Sequence, residues 1–523
     1  MSGPIRPLVR PYLWSCWTPT VLLTIRLQST AAESSQQQQA FRRGALQLDE
    51  SSQRETEQES NPRIRKFRRP IFRKLVDKGP GRELPRPAES NNASPEFSPI
   101  LLRDMCACPS CVDVSTRQKL FSTAEIPERI AVRAMTTELD SVRITWENDI
   151  PGFPSEHETV LPKTTLQSLV IGNSPVPHLP LRTAWQAKTF AKEAQDIRYD
   201  DYMQDDATLH RAVSQLHKKG LLFVTHVPEA SESVEHIAER IGPLKNTFYG
   251  KTWDVRSVPE AKNVAYTSQD LGFHMDLLYM EQPPHIQLLH CIRSSASGGA
   301  SLFTDSLQSV SYLFRSNLKL FETLATQPVT YHYNHTDSGS FYEHSRPVIE
   351  LPGLPLAEIR HKGVAPEQLT PLLRRPEILS AVSWAPPFQA PFRLQEANLV
   401  TVSPYARDLL KRTGAVEALN TNVEQWHAAA RKFNQLINHE AGIYERMMKP
   451  GECVLFDNRR VLHARRAFEV GDAGNERWLK GAYIDKDPFY STLTSLRHRF
   501  DTKSEVDKPE AAEEKDAWAA FNA

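Results

Sequence analysis

The strongest constraint on how this chain folds comes from two short motifs that lie far apart in the sequence. The first is FHMD, which contains His274 and Asp276, and the second is FDNRRVLH, which ends at His463. In an extended strand, residues i and i+2 point to the same side, so His274 and Asp276 can reach one metal ion. A fold that uses all three side chains must bring His463 beside the other two on a separate strand.

Two imidazoles and one carboxylate on one side of a metal ion leave three coordination positions open. This set is typical of the facial triad of non-heme Fe(II) oxygenases, in which a co-substrate and O₂ both have to reach the iron. Arg477 follows in the segment ERWLKGAY, and its guanidinium can bind the distal carboxylate of a 2-oxo acid through two hydrogen bonds. Arg465 and Arg466 are alternatives for that contact. A single His-x-Asp pattern is common, so the prediction depends on the whole set.

Charge and cysteine content narrow the class of protein further. The 523 residues contain 63 basic and 63 acidic side chains, so bulk charge does not predict a nucleic-acid partner. Six cysteines in so long a chain argue against a disulfide scaffold. Three of them, Cys106, Cys108 and Cys111, fall within six residues, which predicts a metal site in a reducing compartment. A zinc ion there would need a fourth ligand.

The two ends of the chain differ in composition from its middle. Residues 1–32 contain three arginines, no acid and an apolar run, which favours a mitochondrial presequence, with a secretory signal as the alternative. The apolar run is interrupted by polar residues and is too short to predict a membrane span. Residues 33–95 are polar and charged and predict a disordered linker, and residues 501–523 predict a charged tail.

Periodicity between these ends predicts a fold that is mainly β with some helices. Short apolar runs bounded by turn residues predict strands at 130–132, 141–146, 220–224, 286–291, 301–304 and 453–456. Helical spacing of apolar residues predicts helices at 205–217 and 234–241 and around a stripe from Trp426 to Ile437. Short strands with a few covering helices indicate a jelly-roll core, a double-stranded β-helix, with helical buttresses. A small strand-rich domain precedes it.

Several motifs occur in an order that resembles one family. The matching segments are FYGxTW at 248–253, NVAYT at 263–267, FHxD at 273–276, QLLHC at 287–291, GG at 298–299, FDNxRVLHxRR at 456–466 and GAY at 481–483. Together they resemble the γ-butyrobetaine and trimethyllysine dioxygenases, a branch of the taurine dioxygenase-like 2-oxoglutarate oxygenases. The resemblance covers about residues 98–490.

The resemblance implies a domain organisation and a set of cofactors. Residues 96–175 would form a zinc-binding domain, with His157 as the fourth zinc ligand, and residues 180–500 the dioxygenase domain. Fe(II) would be the catalytic metal, 2-oxoglutarate and O₂ the co-substrates, and ascorbate the reductant. Thr304 would help Arg477 to hold 2-oxoglutarate. Members of the family are often dimeric through the N-terminal domain, so a homodimer is one expectation.

The resemblance also implies a substrate class. Tyr249, Trp253 and Tyr266 match an aromatic cage that would hold a trimethylammonium group by cation–π attraction. Leu277 departs from the cage, where the family has a tyrosine, and Tyr279 is a candidate replacement. The segment 383–387, SWAPP, lacks the asparagine of the family's substrate-contacting region.

The favoured function is therefore hydroxylation of an unactivated C–H bond in γ-butyrobetaine, within carnitine biosynthesis in the mitochondrial matrix. Trimethyllysine is the second candidate substrate and another small acid the third. Two alternative functions, from other classes of protein, remain. One is a non-catalytic protein that keeps the fold and the zinc module, and the other is a zinc hydrolase, which would leave Arg477 without a role.

Overall fold

The computed structural model describes residues 97–166, 179–256, 268–295, 297–392, 415–469 and 477–501. The predicted leader and linker, Tyr266, and nearly all of the predicted C-terminal tail lie outside these residues.

A three-stranded antiparallel sheet forms the N-terminal part of the described chain. Its elements are α1 (Pro99–Asp104), β1 (Ala131–Thr137), β2 (Ser141–Glu147) and β3 (Glu158–Pro162), with β2 in the centre. One face of β2 carries Ile144 and Trp146, which are buried against Leu161 of β3 in a small apolar core. The Trp146 indole N–H donates to the hydroxyl oxygen of Thr159 at 2.9 Å, so its polar atom is satisfied inside that core.

The larger part is built on two sheets. The first has six strands in the order β4 (Ile197–Arg198), β5 (Leu221–Thr225), β15 (Glu452–Asp457), β8 (Ile286–Arg293), β17 (Trp478–Ile484) and β6 (Thr252–Arg256). The second has four strands in the order β14 (Tyr444–Arg446), β9 (Ser301–Asp305), β16 (Val461–Arg465) and β7 (Leu271–His274). Every pair in these two sheets is antiparallel except the β4–β5 pair.

Apolar side chains from both sheets meet between them. Phe303 of β9 contacts Phe223 of β5 and Phe456 of β15, with ring centroids 5.9 and 5.7 Å apart in edge-to-face geometry. Strands β5 and β15 are buried on both faces, which explains why their sequences are continuous apolar runs rather than alternating ones. The predicted strands at 220–224, 286–291, 301–304 and 453–456 are confirmed, each within two residues at its ends.

Helices cover the outer faces of both sheets. Over the six-stranded sheet lie α3 (Tyr199–Gln204), α4 (Asp206–Lys219), α5 (Ser233–Glu239) and α11 (Lys486–Phe500), and over the four-stranded sheet lie α6 (Ser306–Ser316), α7 (Leu318–Thr326) and α10 (Ala415–Ile437). Short helices occur at α2 (Ala187–Glu193), α8 (Leu356–Lys362) and α9 (Pro366–Leu369). Two-stranded sheets join β10 (Val329–His335) to β11 (Ser340–Arg346), and β12 (Ile349–Glu350) to β13 (Ala381–Val382). The structure is thus a mixed α/β arrangement.

The predicted helix at 205–217 is confirmed with shifted bounds. Asp205 caps α4 by accepting hydrogen bonds from the backbone N–H groups of Ala207 and Thr208 at 3.1 and 3.0 Å. Gly220 ends the helix with a φ of +74°, a left-handed conformation that favours glycine. The predicted helix at 234–241 corresponds to α5. In the described part of the chain, no helix has the length and apolar character needed to cross a membrane.

The turn at 457–460 between β15 and β16 is fixed from inside the protein. Arg460 is 2% exposed and forms a two-bond ion pair with the buried carboxylate of Asp305, at 2.9 and 2.8 Å. The same guanidinium donates to the carbonyl oxygens of Lys218 and Thr183 at 2.8 and 2.7 Å. These contacts tie the start of β16 to the end of β9 and to the end of α4.

Candidate active site

His274, Asp276 and His463 come together where β7 pairs with β16. His274 and His463 are directly opposite each other in this antiparallel pair, and their ring centroids lie 4.1 Å apart. Asp276 Oδ1 is 3.4 Å from His274 Nε2, and one donor atom from each of the three residues lies within 4.8 Å of the other two. The convergence expected from the sequence is therefore present, and the three side chains can hold one metal ion.

The protonation states of the two histidines suit metal binding. His274 Nδ1 lies 2.9 Å from the carbonyl oxygen of Gly272, a distance at which Nδ1–H donates and Nε2 keeps its lone pair. Burial lowers the pKa of His463 to about 3, so this imidazole is neutral at physiological pH. Both rings can thus offer a nitrogen lone pair.

Asp276 is held by contacts to both its backbone and its side chain. Its backbone N–H donates to Asn458 Oδ1 at 2.8 Å, and Asn458 Nδ2 donates to its carbonyl oxygen at 3.0 Å. Its Oδ2 accepts hydrogen bonds from Gln287 Nε2 at 2.8 Å and from the Tyr483 hydroxyl at 2.7 Å. Burial would raise the pKa of this carboxyl, but the two neighbouring imidazoles and the hydrogen bond from the Tyr483 hydroxyl hold it below its usual range.

A cavity opens beside these three residues. It is lined by Tyr249, Trp253, Val255, Leu271, His274, Asp276, Leu277, Tyr279, Gln287, Leu289, Ser301, Phe303, Phe388, His463, Ala464, Arg465, Arg477, Leu479 and Tyr483. Most of the wall is apolar or aromatic, with a few charged groups, a composition common in pockets for small molecules.

Arg477 supplies a positive charge to this cavity. Its side chain is 5% exposed, and its guanidinium lies 5.5 Å from the centroid of the Phe468 ring. Burial lowers its pKa to about 10, which still leaves it charged at neutral pH. Among the described residues it forms no ion pair or hydrogen bond, although a buried charge ordinarily has a partner. The position suits an anion bound in the cavity.

A second cluster of possible metal ligands lies in the N-terminal part. His157 Nε2 is 3.6, 3.4 and 3.4 Å from the sulfur atoms of Cys106, Cys108 and Cys111. A tetrahedral zinc ion with ordinary Zn–N and Zn–S bonds would set this N–S separation at about 3.5 Å. A hydrogen bond with Cys111 lowers the pKa of Cys106 to about 3, which favours the thiolate. The four residues predicted from the sequence therefore fit zinc.

Two residues that sequence reasoning missed support this cluster. Asp149 Oδ2 lies 2.7 Å from His157 Nδ1, so it orients the imidazole with Nε2 toward the sulfurs. Arg103 is fully buried, and its Nε pairs with Asp149 Oδ1 at 2.6 Å while its terminal N–H donates to Cys111 Sγ at 3.3 Å. No local signal in the sequence marks either residue, since both contacts are made across the module.

Two family profiles match this chain. The profile of the family described as "Taurine catabolism dioxygenase TauD, TfdA family" matches residues 179–483. The chain belongs to the TauD/TfdA dioxygenase family. A second profile, "Gamma-butyrobetaine hydroxylase-like, N-terminal", matches residues 90–158. This member of the TauD/TfdA family is accordingly a 2-oxoglutarate-dependent oxygenase.

Similar proteins of this family carry several names. "Dioxygenase str8" of Strobilurus tenacellus is 32% identical over 416 residues, which cover 76% of this chain and 84% of that protein. "Gamma-butyrobetaine dioxygenase" of Pseudomonas sp. (strain AK-1) is 28% identical, covering 77% and 90%. "Trimethyllysine dioxygenase, mitochondrial" of Gallus gallus is 25% identical, covering 76% and 83%.

The position of Thr304 does not agree with its predicted role in this TauD/TfdA protein. Side chains alternate along β9, and Ser301 and Phe303 line the cavity that contains His463. Thr304 is on the opposite face, where it lines a separate cavity with residues of α6 and α10. The prediction that Thr304 contacts 2-oxoglutarate is corrected, because strand alternation turns its hydroxyl away from the cavity of the triad.

The structure distinguishes Arg477 from the two alternative arginines, Arg465 and Arg466. Arg466 is 55% exposed on the surface and pairs with Glu445 at 3.3 Å, so it does not reach the cavity. Arg465 does line the cavity, but one of its terminal N–H groups donates to the carbonyl oxygen of Gln269 at 2.8 Å. Arg477 is thus the better placed of the three for binding an anion.

The aromatic residues predicted for the substrate form part of the cavity wall. Tyr249, Trp253 and Tyr279 all line it, while Tyr266 is outside the described residues. Tyr483, which sequence reasoning did not single out, stacks on Trp253 with ring centroids 4.0 Å apart. Leu277 also lines the cavity and has a φ of +59°, which a bulky side chain rarely adopts.

Proposed function

We propose that this chain is an Fe(II)- and 2-oxoglutarate-dependent dioxygenase that hydroxylates an unactivated C–H bond of a small trimethylammonium acid. γ-Butyrobetaine, which would yield carnitine, is the first candidate, and trimethyllysine is the second. The observation that carries the proposal is one cavity in which His274, Asp276 and His463 converge near Arg477, a buried cation without a partner in the described chain.

Each of these residues has a separate task. His274, Asp276 and His463 would bind Fe(II), which together with 2-oxoglutarate and O₂ supplies the oxidising power and leaves succinate and CO₂. Arg477 would bind the distal carboxylate of 2-oxoglutarate through two hydrogen bonds and so orient the co-substrate. The apolar wall would exclude water and hold the substrate C–H bond near the metal. Ascorbate would serve as the reductant that keeps the iron ferrous.

The domain organisation belongs to the same proposal. Residues 180–500 would form the dioxygenase domain, with the two facing sheets as its jelly-roll core. Residues 96–175 would form a zinc-binding domain, in which Cys106, Cys108, Cys111 and His157 complete the coordination of Zn(II). A site filled by four protein ligands leaves no position for substrate, so this zinc would be structural.

The proposed substrate class is supported by the cavity wall. Tyr249 and Trp253 border the cavity, and aromatic rings attract quaternary ammonium groups by cation–π interaction. Tyr279 lies beside them, packed against Tyr333 at a centroid distance of 5.4 Å. Relatives named for γ-butyrobetaine and trimethyllysine have the same family membership, and one of them is named as mitochondrial, which supports the mitochondrial matrix as the proposed location.

A different small substrate of the same chemistry is the second candidate. Leu277 lies in the cavity wall directly after the metal-binding Asp276, where it adds an aliphatic surface instead of a phenol. In addition, the relative named "Dioxygenase str8", at 32% identity, is more similar than those named for γ-butyrobetaine or trimethyllysine that are described above.

The test is succinate formation by the purified protein with Fe(II), 2-oxoglutarate and ascorbate. γ-Butyrobetaine, trimethyllysine or no prime substrate is added, and the hydroxylated product is identified by mass spectrometry. Turnover stimulated by γ-butyrobetaine and lost in His274→Ala supports the proposal. Slow turnover that neither compound stimulates, but that His274→Ala abolishes, favours a different substrate. Absence of both iron binding and turnover refutes the proposal and favours a non-catalytic protein that has kept the fold.

A further inference from the structure

We infer that Gln287 and Tyr483 are positioning residues that hold Asp276 so that it offers only its Oδ1 atom to the metal. The inference rests on the proposed function, since it concerns the same metal site. It adds a role for two side chains that bind no metal themselves.

Gln287 and Tyr483 lie on neighbouring strands and donate hydrogen bonds to the same oxygen of Asp276. Gln287 of β8 and Tyr483 of β17 are cross-strand partners, so their side chains lie next to each other on the same side of the sheet. Gln287 Nε2 and the Tyr483 hydroxyl both donate to Asp276 Oδ2, at 2.8 and 2.7 Å. Asp276 Oδ1 receives neither bond and lies 3.4 Å from His274 Nε2. The carboxylate thus has one oxygen occupied and one directed toward the histidines.

This division has a direct consequence for coordination. An oxygen that accepts two short hydrogen bonds has little lone-pair density left for a metal. If Oδ2 were free, the carboxylate could bind through both oxygens and occupy one of the three positions that the co-substrate and O₂ require. Gln287 and Tyr483 would therefore keep the coordination of Asp276 at one oxygen, which preserves the open positions.

The burial of Gln287 argues that its amide is present for this contact. The residue is 2% exposed, and its Oε1 atom is buried with no hydrogen-bond partner among the described residues. A buried polar atom without a partner is destabilising, so packing alone would favour an aliphatic side chain here. Within the described part of the chain, the one hydrogen bond that this side-chain amide makes is the bond to Asp276.

Tyr483 is fixed independently of its hydroxyl. Its ring stacks on Trp253 at an interplanar angle of 22° and is 1% exposed. Removing the hydroxyl alone should leave the ring in place, which makes Tyr483→Phe a clean perturbation. Tyr331→Phe is a matched control, because that hydroxyl is also buried and donates to the carbonyl oxygen of Ser383 at 2.8 Å, away from the triad.

The experiment measures metal binding by the full-length protein. Co(II), a stable substitute for Fe(II), is titrated into wild type, Gln287→Leu, Tyr483→Phe, the double variant and Tyr331→Phe, and its visible spectrum is recorded. A second readout is the charge-transfer band that forms when 2-oxoglutarate chelates Fe(II) without oxygen. Loss of a group that orients a metal ligand weakens metal binding by about 10- to 100-fold. We expect that loss in each single variant, a changed Co(II) spectrum and an altered charge-transfer band.

The outcomes separate this inference from the proposed function. Normal Co(II) binding and an unchanged spectrum in both single variants would overturn the inference and leave the proposed function intact. A wild-type protein that binds neither Co(II) nor Fe(II) at this site would overturn both. Tyr331→Phe should keep the affinity and the spectrum of wild type even if its melting temperature falls. Tyr483→Phe decides the question if Gln287→Leu does not fold.

Discussion

Replacing Asp149 with Asn tests how the cluster of three cysteines and His157 is supported, because one carboxylate contacts two neighbouring side chains there. Asp149 Oδ2 accepts from His157 Nδ1 at 2.7 Å, and Oδ1 pairs with Arg103 Nε at 2.6 Å. Asparagine keeps the shape of the side chain but has one acceptor atom and no charge. Only one of the two contacts can survive, and neither would keep its ionic character.

Two effects of different size follow from these contacts. Loss of the group that orients His157 should weaken zinc binding by about 10- to 100-fold, equivalent to about 1.4 to 2.7 kcal/mol. Arg103 is 0% exposed and would lose its carboxylate, which for a buried pair destabilises the folded state by about 3 to 5 kcal/mol. The hydrogen bond to Cys111 Sγ and the Phe153 ring, 4.6 Å from the guanidinium carbon, should keep the loss near the lower figure.

The two effects are separated by the double variant Arg103→Met/Asp149→Asn. Removing both charges should recover most of the stability, since replacing a buried ion pair by apolar groups is often close to neutral. Zinc affinity should stay low, because His157 still lacks its anionic acceptor. Glu138→Gln is the control: Glu138 pairs with Arg143 on the surface, is 44% exposed, and is expected to change neither property measurably.

The assay combines chelator competition for zinc with hydrogen exchange of β1–β3. The exchange measurement reports on the stability of this N-terminal sheet alone. The reasoning would be refuted if Asp149→Asn retained wild-type zinc affinity, or if the double variant were no more stable than the single one. Either result would mean that the Arg103–Asp149 pair does not support the cluster in the way the distances indicate.

Three further predictions concern residues outside the N-terminal sheet. Arg477→Lys should raise the KM for 2-oxoglutarate about tenfold or more in succinate assays, because an ammonium group cannot make the two-bond contact. Gly481→Ala should destabilise the protein by about 1 to 3 kcal/mol in urea unfolding and displace Trp253, since its new Cβ would lie 2.4 Å from that ring. Burial lowers the pKa of His217 from 6.5 to about 3. Between these two pH values, His217 is protonated in the unfolded chain but neutral in the folded protein. Stability should therefore fall as the pH drops from 6.5 toward 3, by up to about 1.4 kcal/mol per pH unit. In His217→Gln, urea unfolding on either side of pH 6.5 should show a shallower fall.

The parts of the fold with a strong local signal were predictable from the sequence. Asp205 and Gly220 mark both ends of α4, and the spacing of its apolar residues fixes the buried face. His274 and Asp276 were predictable as a pair from their His-x-Asp spacing, although β7 ends at His274 and Asp276 lies in the turn that follows it. His463 was found through its motif, which strand periodicity by itself would not have selected.

The predictions that failed or were missed depend on pairing between distant strands. Thr304 was assigned to the cavity from its motif position, but its side depends on how β9 pairs with β16, where Phe303 is opposite His463. A shift of one residue exchanges the two faces of a strand. The contacts of Gln287 and Asp149 likewise exist only after the sheets and loops have assembled, so no local sequence pattern predicts them.

The short turn between β15 and β16 limits how this protein can change in evolution or in the laboratory. Loops are usually the segments that tolerate insertions. In residues 457–460, however, Asn458 is bonded to the backbone of Asp276, while Arg460 is locked onto Asp305. An added residue would move His463 along its strand relative to both anchors. The length of this turn thus fixes the position of His463 relative to Asp276, and new substrate specificities should arise from length changes elsewhere.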